Sequence, residues 1–149
     1  MNAQGTPPTG AAYEGFSKEE RLAMKERAKE LKASASKADA VKEVLSKIAE
    51  MSQPDRETAE RIHALVTTTA PELEPRTWYG MPAYALDGKV VCFFQDAAKF
   101  KARYSTLGFS DVAALDDGAI WPTSYAITTL DAAAEAAIVR LVKRAVARA

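Results

Sequence analysis

Apolar positions in the first half of the chain recur with helical spacing. One series follows Asp39, which can cap a helix, and consists of Val41, Val44, Leu45, Ile48 and Met51. A second series follows Pro54 and consists of Ile62, Leu65 and Val66, with Thr69 on the same side. Spacings of three, four and seven residues predict amphipathic helices, and Pro71 ends the second one. The pattern therefore predicts two short antiparallel helices joined by a tight turn.

From Arg76 the apolar spacing changes to two, which is typical of strands. Asp87-Gly88 is a preferred centre for a type I′ hairpin turn. A two-residue loop predicts four cross-strand pairs: Leu86–Lys89, Ala85–Val90, Tyr84–Val91 and Ala83–Cys92. Strict alternation then places one set on an open face: Tyr84, Val91 and Phe93. The other set faces a helix layer: Ala83, Ala85, Val90, Cys92 and Phe94.

A third strand is predicted at 99–105, where basic residues alternate with Phe100, Ala102 and Tyr104. If the connection consists of residues 96–98, Lys101 and Arg103 join the open face. A two-residue connection would instead turn these cations into the core. Burying unpaired cations is costly, so the three-residue connection is favoured.

The last third of the chain predicts four further elements. Residues 107–109 form a turn, and Ser110 caps a short helix that ends near Leu115. Residues 119–127 form another strand, which lies at a sheet edge because Pro122 cannot donate a hydrogen bond to a neighbouring strand. A final helix begins at Asp131 and ends near Arg148.

The sequence divides into three segments. Residues 1–15 are rich in Gly, Pro, Thr and Ala and predict a disordered leader. Ser17 and Glu20 have the spacing of a capping box, which begins a charged helix within a second segment at 16–38. Residues 39–149 predict an α+β domain, with an antiparallel sheet of four or five strands and helices mainly on one face.

Composition narrows the classes of partner. Lys plus Arg total 20 and Asp plus Glu total 20, so no basic field favours nucleic acid. No apolar run is long enough to span a membrane, and no secretory signal is evident. Cys92 is the only cysteine, and free cysteine in an apolar strand is usually a core residue. These features predict a cytoplasmic protein without membrane contact.

The predicted open face is the candidate binding site. It combines flat rings with cations, and its residues are Trp78, Tyr79, Met81, Tyr84, Phe93, Lys101 and Arg103. Stacking and charge-assisted hydrogen bonds suit a small anionic or aromatic ligand, or a protein partner. Two alternatives stay open: a solvated face on which Lys and Arg stems lie over the rings, and a contact between two copies of the chain.

The sequence contains no recognisable catalytic motif. His63 is the only histidine, and its position on an amphipathic helix suits a structural role better than a catalytic one. The chain has no metal-binding, phosphate-binding or dinucleotide fingerprint. A non-enzymatic binding protein without a cofactor is therefore favoured. The enzymatic alternative would need Tyr79 or Lys101 as a general acid or base.

Several of these motifs together resemble the YdhG-like family, a domain of unknown function. The resemblance covers about residues 40–147. It rests on Trp78–Tyr84, the Asp87-Gly88 hairpin, the aromatic strand to Phe94, Lys99–Tyr104 and Trp121-Pro122, with Gly80–Tyr84 the most specific part. It implies an α+β fold and a cytoplasmic bacterial protein. Relatives often carry a histidine near the position of Lys101.

Some YdhG-like relatives are described as frataxin-like iron chaperones, which deliver ferrous iron to iron–sulfur or haem assembly. The resemblance implies this as an alternative function, with iron as the cargo. Hard cations prefer carboxylate ligands. Residues 105–135 contain no Lys or Arg, and this segment contains Asp111, Asp116 and Asp117. The structural alternative is a capped short helix followed by an Asp-Asp-Gly turn.

Overall fold

The computed structural model describes residues 15–32 and 36–147 of the 149-residue chain. The described elements are four helices and five strands. The helices are α1 (Lys18–Lys32), α2 (Lys37–Glu50), α3 (Asp55–Thr69) and α4 (Ala132–Val146). The strands are β1 (Glu74–Trp78), β2 (Met81–Leu86), β3 (Lys89–Gln95), β4 (Ser105–Phe109) and β5 (Ser124–Ile127). The predicted α+β class is confirmed, while the predicted leader lies almost entirely outside the described residues.

Local caps explain where three of the helices begin. The Glu20 N–H donates to Ser17 Oγ, and the Ser17 N–H donates to Glu20 Oε1, which confirms the capping box before α1. Asp131 Oδ1 accepts from the Ala134 N–H at the start of α4, as predicted. The predicted cap of α2 is wrong, because Ser36 caps that helix and the Asp39 N–H donates to it.

The five strands form one antiparallel sheet in the order β1-β2-β3-β4-β5, so neighbours in sequence are neighbours in space. Two turns have the positive φ angles that type I′ hairpins require. Asp87 and Gly88 (φ 52° and 80°) form the predicted turn, and Tyr79 and Gly80 (φ 53° and 76°) form a second one between β1 and β2. β5 is an edge strand, as predicted, but it begins after Pro122.

The register of the β2–β3 hairpin differs from the prediction after two pairs. Leu86 and Ala85 pair with Lys89 and Val90 as expected, but Tyr84 pairs with Cys92. Val91 is the extra residue of a bulge, which shifts the following pairs by one position. A one-residue shift exchanges the two faces of a strand. The predicted facing of β2 is therefore wrong, and so is that of Val91, which lies in the core.

The predicted third strand at 99–105 is also wrong. Residues 97–101 form a turn, and β4 occupies the segment that was predicted to turn at 107–109. The buried Asp55 carboxylate accepts hydrogen bonds from the Ala98 N–H (2.8 Å) and from Ser105 Oγ (3.2 Å). Since Asp55 lies at the start of α3, this loop conformation depends on a distant part of the chain.

The connection from β4 to β5 contains no helix, so the short helix predicted from Ser110 is wrong. Instead the Ser110 N–H donates to the Val91 carbonyl, and the Ala114 N–H donates to the Ala145 carbonyl at the end of α4. These hydrogen bonds hold the connection against the bulge and the last helix.

Among the described residues, one cluster of buried side chains forms the core. It joins α2, α3 and α4 to one set of sheet residues: Tyr84, Val91, Cys92, Phe94, Leu107 and Phe109. Because side chains alternate along strands, the other set is directed to the opposite face, and it includes Met81, Ala83 and Phe93. The prediction that the helices lie mainly on one face of the sheet is compatible with this division.

Candidate functional site

Three aromatic rings are in contact where β1 and β3 present the face opposite the core. The ring centroids of Trp78 and Tyr79 are 4.9 Å apart, and those of Trp78 and Phe93 are 5.2 Å apart. All three residues are half-buried. We refer to Trp78, Tyr79 and Phe93 as the aromatic cluster. The Tyr79-Gly80 turn places Tyr79 beside Trp78 instead of continuing the strand.

The position of Phe93 depends on a glycine in the neighbouring strand. Gly108 is the cross-strand partner of Phe93, and a Cβ at Gly108 would lie 2.3 Å from the Phe93 ring. A glycine inside a strand often marks such a close approach. The ring therefore lies across the β4 backbone. Gly108 had indicated a turn in the sequence, but it makes room for an aromatic ring.

Four of the seven predicted binding residues lie together. Trp78, Tyr79 and Phe93 form the aromatic cluster, and Met81 is buried opposite Trp78 in the β1–β2 register. The other three lie elsewhere. Tyr84 is fully buried in the core, so its prediction on an open face is wrong.

Lys101 and Arg103 lie in the loop between β3 and β4, so their predicted place on a strand is wrong. Lys101 has a φ of 51°, and its Nζ is 2.9 Å from Glu19 Oε2 of α1. The hydrogen bond from Lys101 lowers the pKa of the Glu19 carboxyl. The Arg103 guanidinium lies 5.0 Å from the centre of the Tyr104 ring. Neither cation lies on a strand of the sheet that bears the aromatic cluster.

Two groups with catalytic potential, the Cys92 thiol and the Tyr84 hydroxyl, are buried in the core. Burial raises the pKa of Cys92 to about 12, so its thiol is not a nucleophile at neutral pH. Tyr84 Oη lies 2.9 Å from His63 Nδ1, within hydrogen-bond distance. Burial, followed by the nearby Cys92, raises the pKa of the Tyr84 hydroxyl, which therefore stays protonated. The contact gives the buried hydroxyl a partner.

The burial of His63 predicts that the stability of the fold depends on pH. Burial lowers the pKa of His63 below its ordinary value of 6.5. Below pH 6.5 the unfolded chain therefore binds a proton more readily than the folded chain. We expect the free energy of unfolding to decrease as the pH falls from 6.5 through the lower folded-state pKa, and to show no His63 contribution to its slope above that window.

Urea unfolding of the wild type and of His63→Gln at several pH values measures this effect. Glutamine does not titrate, and His63 is the only histidine, so the difference between the two curves isolates it. A difference that is independent of pH between 5 and 8 would contradict the prediction.

A cluster of charged side chains and backbone N–H groups lies where the β1–β2 turn meets the β3–β4 loop. Glu26 Oε1 is 2.8 Å from Lys99 Nζ, and Glu26 Oε2 is 2.8 Å from Lys47 Nζ. Four residues later, the Glu30 carboxylate accepts from the Tyr79 and Gly80 N–H groups, both at 3.1 Å. Of these residues only Tyr79 was predicted from the sequence as part of a site. The only local signal was two glutamates four positions apart on the first helix.

The same region contains a buried carboxylate, one of whose two oxygens lacks a hydrogen-bond partner. Asp96 is buried, and its Oδ1 has no hydrogen-bond partner among residues 15–32 and 36–147. Burial raises the pKa of this carboxyl above its ordinary value. Asp96 also lines a cavity of about 400 Å³, together with Glu26, Lys47, Gly80 and Lys99.

The carboxylates proposed for iron are exposed. Asp111, Asp116 and Asp117 lie in the β4–β5 connection at the surface. Within the described part of the chain, no group of three or more His, Cys, Asp or Glu side chains is arranged to hold a metal ion. Iron delivery therefore stays a prediction that rests on the family resemblance.

Comparison with known proteins gives no match among family models, curated proteins or solved structures. The similarity to the YdhG-like family stays an expectation from the sequence motifs. None of the helices in the described ranges has the length and hydrophobicity needed to span a membrane.

Proposed function

We propose that this protein is a non-enzymatic binding domain and that a protein partner contacts its aromatic cluster. One observation carries the proposal: the half-buried Trp78 ring contacts both the Tyr79 ring and the Phe93 ring on the sheet face opposite the core cluster. Tyrosine, tryptophan and phenylalanine are enriched at protein interfaces because they bury large areas at a low cost in side-chain entropy.

The geometry favours a protein over a small molecule as the partner. Small ligands usually occupy concave sites that bury most of their surface. Two described cavities, of about 690 Å³ beside β1 and about 400 Å³ beside Lys99, are not lined by Trp78, Tyr79 or Phe93. A second copy of the chain remains an alternative partner for the same rings.

A non-enzymatic role is supported by the placement of the reactive groups. The Cys92 thiol and the Tyr84 hydroxyl are fully buried, and His63 is engaged with Tyr84. General acid–base catalysis requires a group that can reach the proton of a bound substrate. The aromatic cluster itself contributes two hydrogen-bonding groups, the Tyr79 hydroxyl and the Trp78 indole N–H, and contains no carboxylate, imidazole or amine.

The proposal is tested by comparing a cluster variant with a matched control. Trp78→Ala/Phe93→Ala removes two of the three rings, whereas Leu45→Ala truncates an exposed apolar side chain on α2. Proteins retained from an extract of the source cells are identified by mass spectrometry and then purified. We expect a purified partner to bind the wild type and Leu45→Ala equally and the cluster variant at least about tenfold more weakly, which corresponds to about 1.4 kcal/mol.

A direct readout comes from the fluorescence of Trp78. The chain has two tryptophans, so Trp121→Phe leaves Trp78 as the only one. Binding at the cluster should shift the emission maximum of this variant, and sedimentation velocity of the protein alone identifies self-association. Partner binding that leaves Trp78 emission unchanged and survives the cluster variant would refute the proposal.

A further inference from the structure

Helix α1 contacts the rest of the protein mainly through charged side chains. Its Glu26 and Glu30 carboxylates are held by two lysines and two backbone N–H groups, while Ala23 is the only buried residue among the described side chains of α1. The helix therefore buries little apolar surface. The contact depends on electrostatics, which in part-exposed pairs contribute modestly to stability.

The groups beneath α1 have the chemistry of an anion-binding site. The Tyr79 and Gly80 N–H groups are consecutive, and both donate to Glu30 from residues with positive φ. Successive N–H groups directed at one point form a concavity that binds anions. Lys47 and Lys99 supply two ammonium groups on the two oxygens of Glu26. Together they offer two adjacent places for carboxylates.

Gly80 permits this close approach. A Cβ at Gly80 would lie 2.3 Å from Lys99 Nζ and 2.6 Å from Glu26 Oε1. Lys99 Nζ also lies 3.3 Å from the Gly80 carbonyl oxygen. The glycine thus provides both the positive φ of the turn and the space in which the ammonium and carboxylate groups meet.

The electrostatics favour an ionised occupant. Burial opposes ionisation of Glu26, but the hydrogen bonds from Lys47 and Lys99 outweigh it and hold the pKa of this carboxyl below its ordinary value. The hydrogen bond to Glu26 likewise raises the pKa of Lys47. The site therefore stabilises negative charge even though it is partly removed from water.

The two carboxylates lie near each other because both approach Gly80. Glu30 Oε2 accepts from the Gly80 N–H at 3.1 Å, and Glu26 Oε1 lies 2.6 Å from the position of a Cβ at that residue. Residues four positions apart on a helix also lie on the same side, with Cβ atoms about 5–6 Å apart. A small dicarboxylic acid with four or five carbons can span a similar distance. The cavity of about 400 Å³ that borders Lys47, Gly80 and Lys99 offers room next to the same groups.

We propose that Lys47, Lys99 and the Tyr79-Gly80 N–H groups form a binding site for a small dicarboxylate, which α1 occupies with Glu26 and Glu30 as an intramolecular competitor. A ligand then binds by displacing these two side chains. The site shares residue Tyr79 with the aromatic cluster but uses its backbone N–H and not its ring. The inference is therefore independent of the proposed protein partner.

The experiment empties the site in the full-length chain. Glu26→Ala/Glu30→Ala removes both carboxylates, and calorimetric titration with glutarate measures binding. Butyrate, with one carboxylate, is the matched ligand. We expect glutarate to bind the variant at least about tenfold more tightly than the wild type, because the wild-type site is free in only a fraction of molecules. Butyrate should bind much more weakly than glutarate.

Three further variants make the outcome decisive. Glu19→Gln breaks a different α1 ion pair, with Lys101, and should bind glutarate like the wild type. Lys47→Met/Lys99→Met in the emptied background should abolish binding. Glu26→Gln/Glu30→Gln keeps the side-chain volume if the alanine variant does not fold. The proposal is overturned if neither emptied variant shows saturable binding, if binding survives loss of both lysines, or if both emptied variants are unfolded by circular dichroism.

Discussion

Replacing Phe94 with alanine should lower the free energy of unfolding by about 3–5 kcal/mol, the usual cost of truncating a buried phenylalanine. Phe94 is fully buried in the cluster that joins α2, α3 and α4 to the sheet. Its removal leaves a cavity lined by side chains from several elements, which cannot all relax to fill it. Urea unfolding followed by circular dichroism measures the change.

Phe93 is the matched control because it is the preceding residue and points to the other face of β3. It is half-buried, contacts Trp78 and lies over Gly108. Truncation of a partly exposed ring removes less apolar surface from the folded state, so Phe93→Ala should cost no more than about half as much. Equal losses for the two variants would contradict the assignment of the two faces.

Replacing Asp55 with alanine should cost about 2–4 kcal/mol, because it leaves two donors near the protein interior without their acceptor. The carboxylate accepts from the Ala98 N–H at 2.8 Å and from Ser105 Oγ at 3.2 Å. Ser105 Oγ in turn accepts from the Ala97 N–H at 3.2 Å. The substitution therefore affects both ends of the β3–β4 loop.

Asp55→Asn is the control for this prediction, since its amide oxygen can still accept one of the two hydrogen bonds. We expect an intermediate loss of stability. Hydrogen exchange at the Ala98 amide should be fastest in the alanine variant, because that N–H then has no acceptor. An alanine variant whose stability lies within about 0.5 kcal/mol of the wild type, the range of ordinary surface substitutions, would show that Asp55 does not hold the loop.

The loop prediction failed for a reason that these variants address. The alternation of Lys99, Lys101 and Arg103 with apolar residues satisfied the strand pattern, and no local feature opposed it. The structure instead forms a turn at 97–101, whose N–H groups are satisfied by Asp55 and Ser105. Asp55 is 43 residues from Ala98, so the competing interaction is absent from any local window.

The candidate site failed in part for a related reason. Trp78 and Phe93 were expected beside Tyr84, but the bulge at Val91 pairs Tyr84 with Cys92 and turns it into the core. There its hydroxyl meets His63, on α3, which supplies the partner that a buried tyrosine needs. A two-residue turn determines only the first cross-strand pairs of a hairpin. A bulge further along the strands is not signalled by any residue in this sequence.

What the sequence determined by itself was local. Apolar spacing placed α2 and α3, side-chain caps placed the starts of α1 and α4, and Asp87-Gly88 placed the central hairpin, because each of these signals acts within a few residues. Tertiary structure decided the facing of Tyr84, the course of residues 96–104 and the contact of Glu26 with Lys99, which are 73 positions apart. Those outcomes depend on which buried polar groups find partners across the folded chain, and that balance exists only once the helices and the sheet are packed together.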